Sequence, residues 1–111
     1  MRRLFIDPGQ LRSELVLQEA VTNEDGAGGH TETWEEVATV FAQVEPVSAQ
    51  SAFGAGQAHE RVTHRVILRF RGDVRSGMRF LKKGRALRII NVHDADETGR
   101  YLICRVREEG R

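Results

Sequence analysis

Residues 62–71 alternate apolar and polar side chains with a period of two. Successive side chains of a β-strand point to opposite faces of a sheet, so this period predicts a half-buried strand. The apolar face comprises Val62, Val66, Leu68 and Phe70, and the other face comprises Thr63, Arg65, Arg69 and Arg71. The sequence therefore predicts a strand with one side on a core and a basic side outside it.

Five further segments carry strand signals of the same kind. They are residues 11–19, 37–44, 78–81, 86–92 and 101–106. Pro46 is expected to end the second of these, because proline cannot donate to a strand ladder. About six strands in a short chain predict a mainly β fold, a small antiparallel β-barrel or sandwich. Core positions are predicted at Trp34, Val40, Phe41, Val44, Val66, Leu68 and Phe70.

Two segments interrupt the strand pattern. Residues 23–29 are polar and rich in glycine, which predicts a long hairpin tip between the first strand and residues 31–34. Residues 47–61 have Ser48 as a potential N-cap and contain the stretch Phe53-Gly54-Ala55-Gly56-Gln57-Ala58, which predicts a short helix or loop insertion. This stretch lacks the lysine, the third glycine and the βαβ setting of a nucleotide-binding loop, so no nucleotide is expected there.

Length and charge limit the possibilities further. A chain of 111 residues is expected to form one domain, and no apolar run has the length of a transmembrane helix or a signal peptide. Residues 1–57 contain three Lys+Arg and nine Asp+Glu, whereas residues 58–111 contain fourteen and seven. This asymmetry suits nucleic-acid binding, or docking of one copy against the next, or merely two halves of one domain whose fields partly cancel.

No catalytic or metal-binding arrangement is evident. Cys104 alternates with Leu102 and Val106, so it is expected in the core, where a thiol is inert. Residues 93–97 form an acidic cluster that is better explained as a turn than as a cation site. We therefore expect no enzyme activity, no metal and no cofactor.

The basic residues in the predicted third strand and just before it allow two interpretations. Arg61, Arg65, Arg69 and Arg71 could contact the phosphates of a nucleic acid, or the acidic surface of a neighbouring subunit. Single-strand binders also need exposed aromatic side chains, and the aromatic residues here occupy positions expected to be buried. Specific nucleic-acid recognition is therefore weakly supported.

One extended pattern resembles a known family. It runs from Thr33-Trp34-Glu35-Glu36-Val37 through Pro46, continues over residues 62–71, and ends in a hairpin through residues 88–92. It resembles the head–tail joining proteins (stopper or head-completion proteins) of long-tailed phages and of phage-derived gene transfer agents. Phe41 and Phe70 stand where that family often has tryptophan and tyrosine. The resemblance covers residues 11–106.

The resemblance implies a structural role. It implies one β-barrel domain over residues 1–111, with an N-terminal arm (1–10) and a channel-facing insertion (47–61). Subunits of this family form a ring, with six-fold symmetry favoured and twelve-fold possible, in a virion or virus-like particle assembled from protein made in the bacterial cytoplasm. The implied partners are other copies of the chain, the portal-bound adaptor, tail terminator and tail proteins, and double-stranded DNA that passes without sequence readout; no membrane is implied.

The resemblance also assigns candidate residues. The channel or gate candidates are Ser48, Gln50, Ser51, Phe53, Gly54, Gly56, Gln57 and His59. The candidates for contacts with DNA or between subunits are Arg61, Arg65, Arg69 and Arg71. Two alternatives stay open: a small nucleic-acid-binding β-barrel, and a tail-completion or terminator ring protein.

Overall fold

Six β-strands and one short 3-10 turn make up the regular structure of the residues that the computed structural model describes, 6–47 and 61–109. The turn is Pro8–Gln10, and the strands are β1 (Ser13–Glu24), β2 (His30–Pro46), β3 (His64–Arg69), β4 (Arg79–Lys82), β5 (Arg85–Asp94) and β6 (Tyr101–Glu109). All six predicted strands are present, and β2 ends at Pro46 as predicted. β1 and β2 are longer than predicted and extend to the ends of one long hairpin.

The strands form a closed antiparallel barrel in the order β1-β2-β3-β6-β5-β4. β4 closes it by pairing with β1 through Val16 and Leu81. The predicted mainly β, small antiparallel fold is therefore confirmed. Closure gives both edges of each strand in the barrel body a neighbour, so the body exposes no unpaired strand edge of the kind that promotes aggregation.

The core fills the interior of the barrel. Its fully enclosed large side chains are Phe80, Leu15, Leu17, Leu68, Leu87, Ile89, Val66 and Val106. The alternation predicted for β3 places Val66 and Leu68 in this core, and Val40 of β2 joins them. Val44 is half-buried and packs against the same cluster.

The core prediction was wrong for Phe41 and Phe70. Phe41 is 55% exposed and Phe70 is 47% exposed. Phe41 lies between the buried Val40 and Ala42, so the period of two points it out of the barrel. Phe70 follows the last residue of β3, and its amide donates a 2.9 Å hydrogen bond to the carbonyl of Arg100.

The β1–β2 hairpin extends beyond the barrel as a two-stranded ribbon, residues 19–36. Pairing of β1 with β4 stops at Gln18, so beyond this point β1 pairs only with β2. The register shifts where the ribbon begins, because Leu17 pairs with Ala38 and Gln18 pairs with Glu36. Val37 is the extra residue of this bulge, and bulges at barrel rims redirect a strand.

The tip of the ribbon is a turn built around Asp25. Its Oδ1 accepts hydrogen bonds from the amides of Ala27 and Gly29, at 2.8 and 3.0 Å. These bonds stabilise the carboxylate and hold the pKa of Asp25 below its ordinary value. The polar, glycine-rich sequence was correctly assigned to a hairpin tip, although Asn23 and Glu24 belong to β1.

The end of β2 and the start of β3 lie side by side at the rim opposite the ribbon. The amide of Val47 donates a 3.0 Å hydrogen bond to the carbonyl of Thr63. Most of the predicted insertion, residues 48–60, lies outside the described residues, as does the first half of the predicted N-terminal arm. The described part of that arm contains the 3-10 turn, which Asp7 caps by accepting a 2.9 Å hydrogen bond from the amide of Gly9.

Candidate assembly surfaces

The basic face of β3 carries its own counter-charges. The Nε and Nη2 atoms of Arg65 both donate to Oε1 of Glu45 on β2, at 3.0 and 2.8 Å. Arg71 forms a two-pronged pair with Asp73, with bonds of 3.0 and 2.9 Å. Each guanidinium is half-exposed, so each pair contributes at most about 1 kcal/mol to stability. Two of the four predicted basic contacts are therefore partly neutralised within the chain.

The other two basic candidates are exposed. Arg69 lies over the ring of Tyr101, with its guanidinium carbon 5.9 Å from the ring centroid. Arg61 is exposed just before β3 begins. Arg65 and Arg69 are both exposed on the outer side of β3, as the alternation predicted, and the salt bridge of Arg65 with Glu45 offsets part of this positive charge.

A clasp formed by Trp34 and two arginines holds the ribbon against the outer face of β4 and β5. The guanidinium carbon of Arg79 lies 4.2 Å from the Trp34 ring centroid, and that of Arg88 lies 5.3 Å from it. Arg79 is directly opposite Arg88 across the β4–β5 pair. Trp34 is half-buried and lies outside the core cluster, so the prediction that it is a core residue was wrong: it packs against the barrel wall from outside.

Two polar contacts support this clasp. Nε of Arg79 donates a 2.7 Å hydrogen bond to Oε1 of Gln18, a side chain that is buried. Burial lowers the pKa of Arg79, and the positive charge of Arg88 lowers it further. At the base of the ribbon, Arg75 donates to Glu19 at 2.8 Å. Since Glu19 belongs to β1, this pair also ties the ribbon to the β3–β4 connection.

The ribbon is the acidic part of the molecule. Residues 19–36 contain six carboxylates and neither lysine nor arginine. Arg75 lies within salt-bridge distance of the ribbon carboxylate Glu19, at 2.8 Å. Sequence reasoning had located the acidic half of the chain but not its concentration on a projecting hairpin, because that depends on where β1 and β2 leave the barrel.

An open groove lies beside the two exposed phenylalanines. It has a volume of about 330 Å³, and its apolar lining includes Phe41 and Phe70 together with Pro8 and Leu11 from the segment before β1. Arg69 and Arg71 line the same groove. No acidic residue is among the described residues that line it. The groove is thus an apolar surface with basic neighbours.

The histidines of residues 6–47 and 61–109 and the cysteine show no catalytic arrangement. Thr63 Oγ1 lies 2.8 Å from Nδ1 of its neighbour His64, and burial lowers the pKa of that histidine. His93 lies 3.3 Å from Nη1 of Arg105 and likewise has a lowered pKa, mainly because of burial. Burial raises the pKa of the Cys104 thiol to about 12, so it carries almost no thiolate at neutral pH.

The acidic cluster at residues 93–97 comprises the end of β5 and the turn that follows it. Asp96 accepts hydrogen bonds from the amide and the hydroxyl of Thr98, and Asp94 accepts one of 2.8 Å from the amide of Gly99. Within residues 6–47 and 61–109, no group of His, Cys, Asp and Glu side chains could hold a metal ion. The same residues contain no helix with the length and apolarity to cross a bilayer.

Comparison with known proteins assigns the chain to a family. The family of phage head completion proteins matches residues 6–109. The chain belongs to this family. That membership confirms the resemblance found in the sequence, and it makes the chain a structural protein of a phage or phage-like particle and not an enzyme.

Two solved structures share the family fold with this chain. One is a chain in the virion of a native gene transfer agent particle, at 35% identity and a TM-score of 0.68, with 90% of this chain and 96% of that chain covered. The other is a protein of Shigella flexneri 2a solved in solution, at 30% identity and a TM-score of 0.67, with 91% and 96% covered. No curated protein sequence matches the chain.

The gate candidates of the sequence all fall within residues 48–60 and lie outside the described residues. The structure instead shows two surfaces that the sequence did not indicate. One is an acidic ribbon on one side of the barrel, and the other is an apolar groove with basic neighbours on another side. The signal for the groove was present in β2, where the alternation of Val40 and Ala42 requires Phe41 to face outward. The prediction for Phe41 instead followed the family resemblance, in which an aromatic residue was expected in the core at this position.

Proposed function

We propose that the chain is a connector subunit that forms a ring between the portal-bound adaptor and the tail, retains packaged DNA and provides the surface on which the tail docks. The observation that carries the proposal is the match to a chain of a native gene transfer agent virion over nine-tenths of this protein. Other copies of the chain, the adaptor and the tail proteins are the partners. A ring of six copies is the favoured arrangement.

The barrel supports this role physically. A closed sheet holds its shape without a partner, since its body has no unpaired edge. The surfaces that remain for assembly are chemically different from one another, and a contact between two different surfaces repeats around a closed ring. In this arrangement, DNA passes beside arginines that are partly neutralised by carboxylates, which suits passage without base readout.

We also propose that residues 47–61 face the channel of this ring. The support for this placement is that the segment begins and ends at one rim of the barrel, the rim opposite the ribbon. The hydrogen bond between Val47 and Thr63 holds both ends there, independently of the residues between them. Deleting residues 51–58 leaves seven residues, 48–50 and 59–62, to join Val47 to Thr63. The deleted protein is expected to fold and to enter particles, while the packaged DNA is lost from filled heads.

The test is a nuclease-protection assay on purified particles. Particles with the deletion are expected to protect less DNA than wild-type particles, whereas a glycine–serine replacement of the same length separates the effect of sequence from that of length. Electron microscopy of the same particles checks for a ring at the head–tail junction. Full DNA protection and normal tails in particles without the protein would contradict the connector role.

One observation favours the second candidate, a small nucleic-acid-binding barrel. Phe41 and Phe70 are exposed beside Arg69, and aromatic rings next to arginines form the stacking surfaces of single-strand binders. Fluorescence anisotropy with a labelled single-stranded oligonucleotide distinguishes the two functions. The connector is expected to bind weakly, at about 10 μM or above at physiological salt, and the binding should not depend on Phe41. Tight binding that Phe41→Ala abolishes would favour the alternative.

A further inference from the structure

The exposed large apolar side chains of the described residues share one side of the barrel. They are Val37, Phe41 and Phe70, of which Phe41 is the most exposed at 55%. Val37 and Phe41 point outward from β2, and Phe70 follows β3. Such a patch rimmed by polar residues usually marks an interaction site.

The acidic ribbon lies toward the side of the barrel opposite to these apolar side chains. In the strand order of the barrel, β4 and β5 lie across from β2 and β3. Trp34 holds the ribbon on Arg79 of β4 and Arg88 of β5. The ribbon therefore leaves the groove beside Phe41 and Phe70 uncovered.

The two surfaces are complementary in charge. The groove is lined by Arg69 and Arg71, and Arg71 forms a salt bridge with Asp73. The ribbon carries six carboxylates and no basic residue apart from histidine. A ribbon of two strands is also marginally stable in water by itself, so it gains from packing against another surface.

The reach of the ribbon fits a contact between neighbouring molecules. Six residues of β1 beyond Gln18 extend about 20 Å at the usual rise per residue. The molecule measures 33 × 25 Å across its two shorter axes. The ribbon therefore spans most of the width of a neighbouring barrel.

We infer that the occupant of the groove is the acidic ribbon of a second copy of this chain. The inference rests on the proposed ring and specifies its contact: the ribbon of one subunit lies in the Phe41–Phe70 groove of the next. Because the two surfaces differ and lie on opposite sides, the contact is heterologous. It can repeat around a closed ring.

Cysteine cross-linking in assembled particles tests the contact directly. Glu24→Cys places a thiol near the ribbon tip, and Thr39→Cys places one at the groove, where Thr39 is exposed. Cys104 is buried and does not interfere. Within one molecule these positions are separated by about 30 Å along β2, beyond the reach of a bismaleimide of about 10 Å.

The expected result is a ladder of cross-linked multimers in particles of the double variant, and dimers in particles assembled from a mixture of the two single variants. Each single variant alone should stay monomeric on denaturing gels. The control pair is Glu24→Cys with Lys82→Cys, since Lys82 ends β4 at the rim opposite the ribbon; it should give no ladder.

Several results would overturn the inference. Dimers from either single variant would show a two-fold contact. A cross-link from Thr39→Cys to an adaptor or tail protein, or to DNA, would give the groove a different occupant. Wild-type levels of protein in particles and a visible ring, but no cross-link, would refute the ribbon contact and leave the proposed function standing. Absence of the protein from particles would refute both.

A second variant tests the groove without added thiols. Phe41→Ser combined with Phe70→Ser should leave the melting temperature of the monomer within about 3 °C, because both rings are exposed. Its incorporation into particles should fall at least about tenfold. Matched substitution of the exposed Arg105 by Ser should leave incorporation unchanged. A large loss of monomer stability would mean that the groove is covered within its own chain, and unchanged incorporation would equally overturn the inference.

Discussion

The guanidinium of Arg79 lies over the ring of Trp34, 4.2 Å from its centroid. This contact joins the projecting ribbon to the wall of the barrel, while Nε of the same guanidinium donates a hydrogen bond to the buried Gln18. A cation over an indole face is attracted by the ring quadrupole, and shielding from water strengthens the attraction. The ribbon is thus held against the barrel wall by Trp34 and by the two arginines, Arg79 and Arg88, that contact its ring.

A double-mutant cycle should measure this coupling. Trp34→Leu and Arg79→Met each keep apolar bulk, and the coupling energy between them is expected at about 0.5–2 kcal/mol. Chemical denaturation of the four proteins gives the value. The control cycle combines Trp34→Leu with Arg65→Met, a residue paired with Glu45 on β2, and its coupling should be near zero. Equal couplings in both cycles would contradict a specific contact.

The core and the exposed phenylalanines should differ sharply in their effect on stability. Phe80 is fully enclosed, so Phe80→Ala should reduce the free energy of unfolding by about 3–5 kcal/mol. Phe41→Ala removes the same atoms from an exposed position and should cost less than about 1 kcal/mol. Urea denaturation of the isolated protein measures both. A comparable loss for Phe41 would show that its ring is covered in solution.

Cys104 should be unreactive in the folded protein. Burial raises the pKa of its thiol to about 12, so the thiolate fraction at pH 8 is about a thousandfold lower than for an ordinary thiol. The rate of reaction with a thiol-specific disulfide reagent should be lower by at least this factor than the rate in denaturant. Rapid labelling under native conditions would indicate that β6 opens locally.

The stability of the fold should decrease as the pH falls below 6.5. The pKa values of His64 and His93 are lowered from 6.5 by burial and by the nearby Arg85 and Arg105, so the unfolded chain takes up protons first. Below that pH, protonation favours the unfolded state until the lowered pKa values of the folded protein are passed. Melting temperatures measured between pH 7 and about pH 5 should show this decline.

The combined variant His64→Gln and His93→Gln is the matched test of this assignment. It should flatten the decline, because glutamine does not titrate. Asp73 contributes in a different range, since the lowered pKa of its carboxyl means that its contribution is lost only as the pH falls below 3.8. An unchanged slope in the double variant would attribute the decline to other groups.

The family resemblance and the local patterns together predicted most of the fold. The alternation around Val66 and Leu68 and the end of a strand at Pro46 depend on neighbouring residues alone, and both agree with the structure. The surroundings of Trp34 and Phe70 depend on other strands. Both were therefore assigned to the core on their hydrophobicity, although one packs outside the barrel wall and the other is exposed.

By itself, the sequence determined that this protein is a small antiparallel β-barrel or sandwich. It also determined that an acidic half of the chain is followed by a basic half, and that the thiol lies in the core. These properties follow from the period of two, from charge counts and from turn residues, which are all local. Only the tertiary structure decided that β1 and β2 leave the barrel at Gln18, and that the ribbon leans on Arg79 and Arg88. The pairing between β1 and β4 that closes the barrel is short. The point at which this pairing ends is the boundary between the barrel and the ribbon. Pairing between distant strands, which no local pattern encodes, therefore placed the acidic ribbon and the Phe41–Phe70 groove on opposite sides of one molecule.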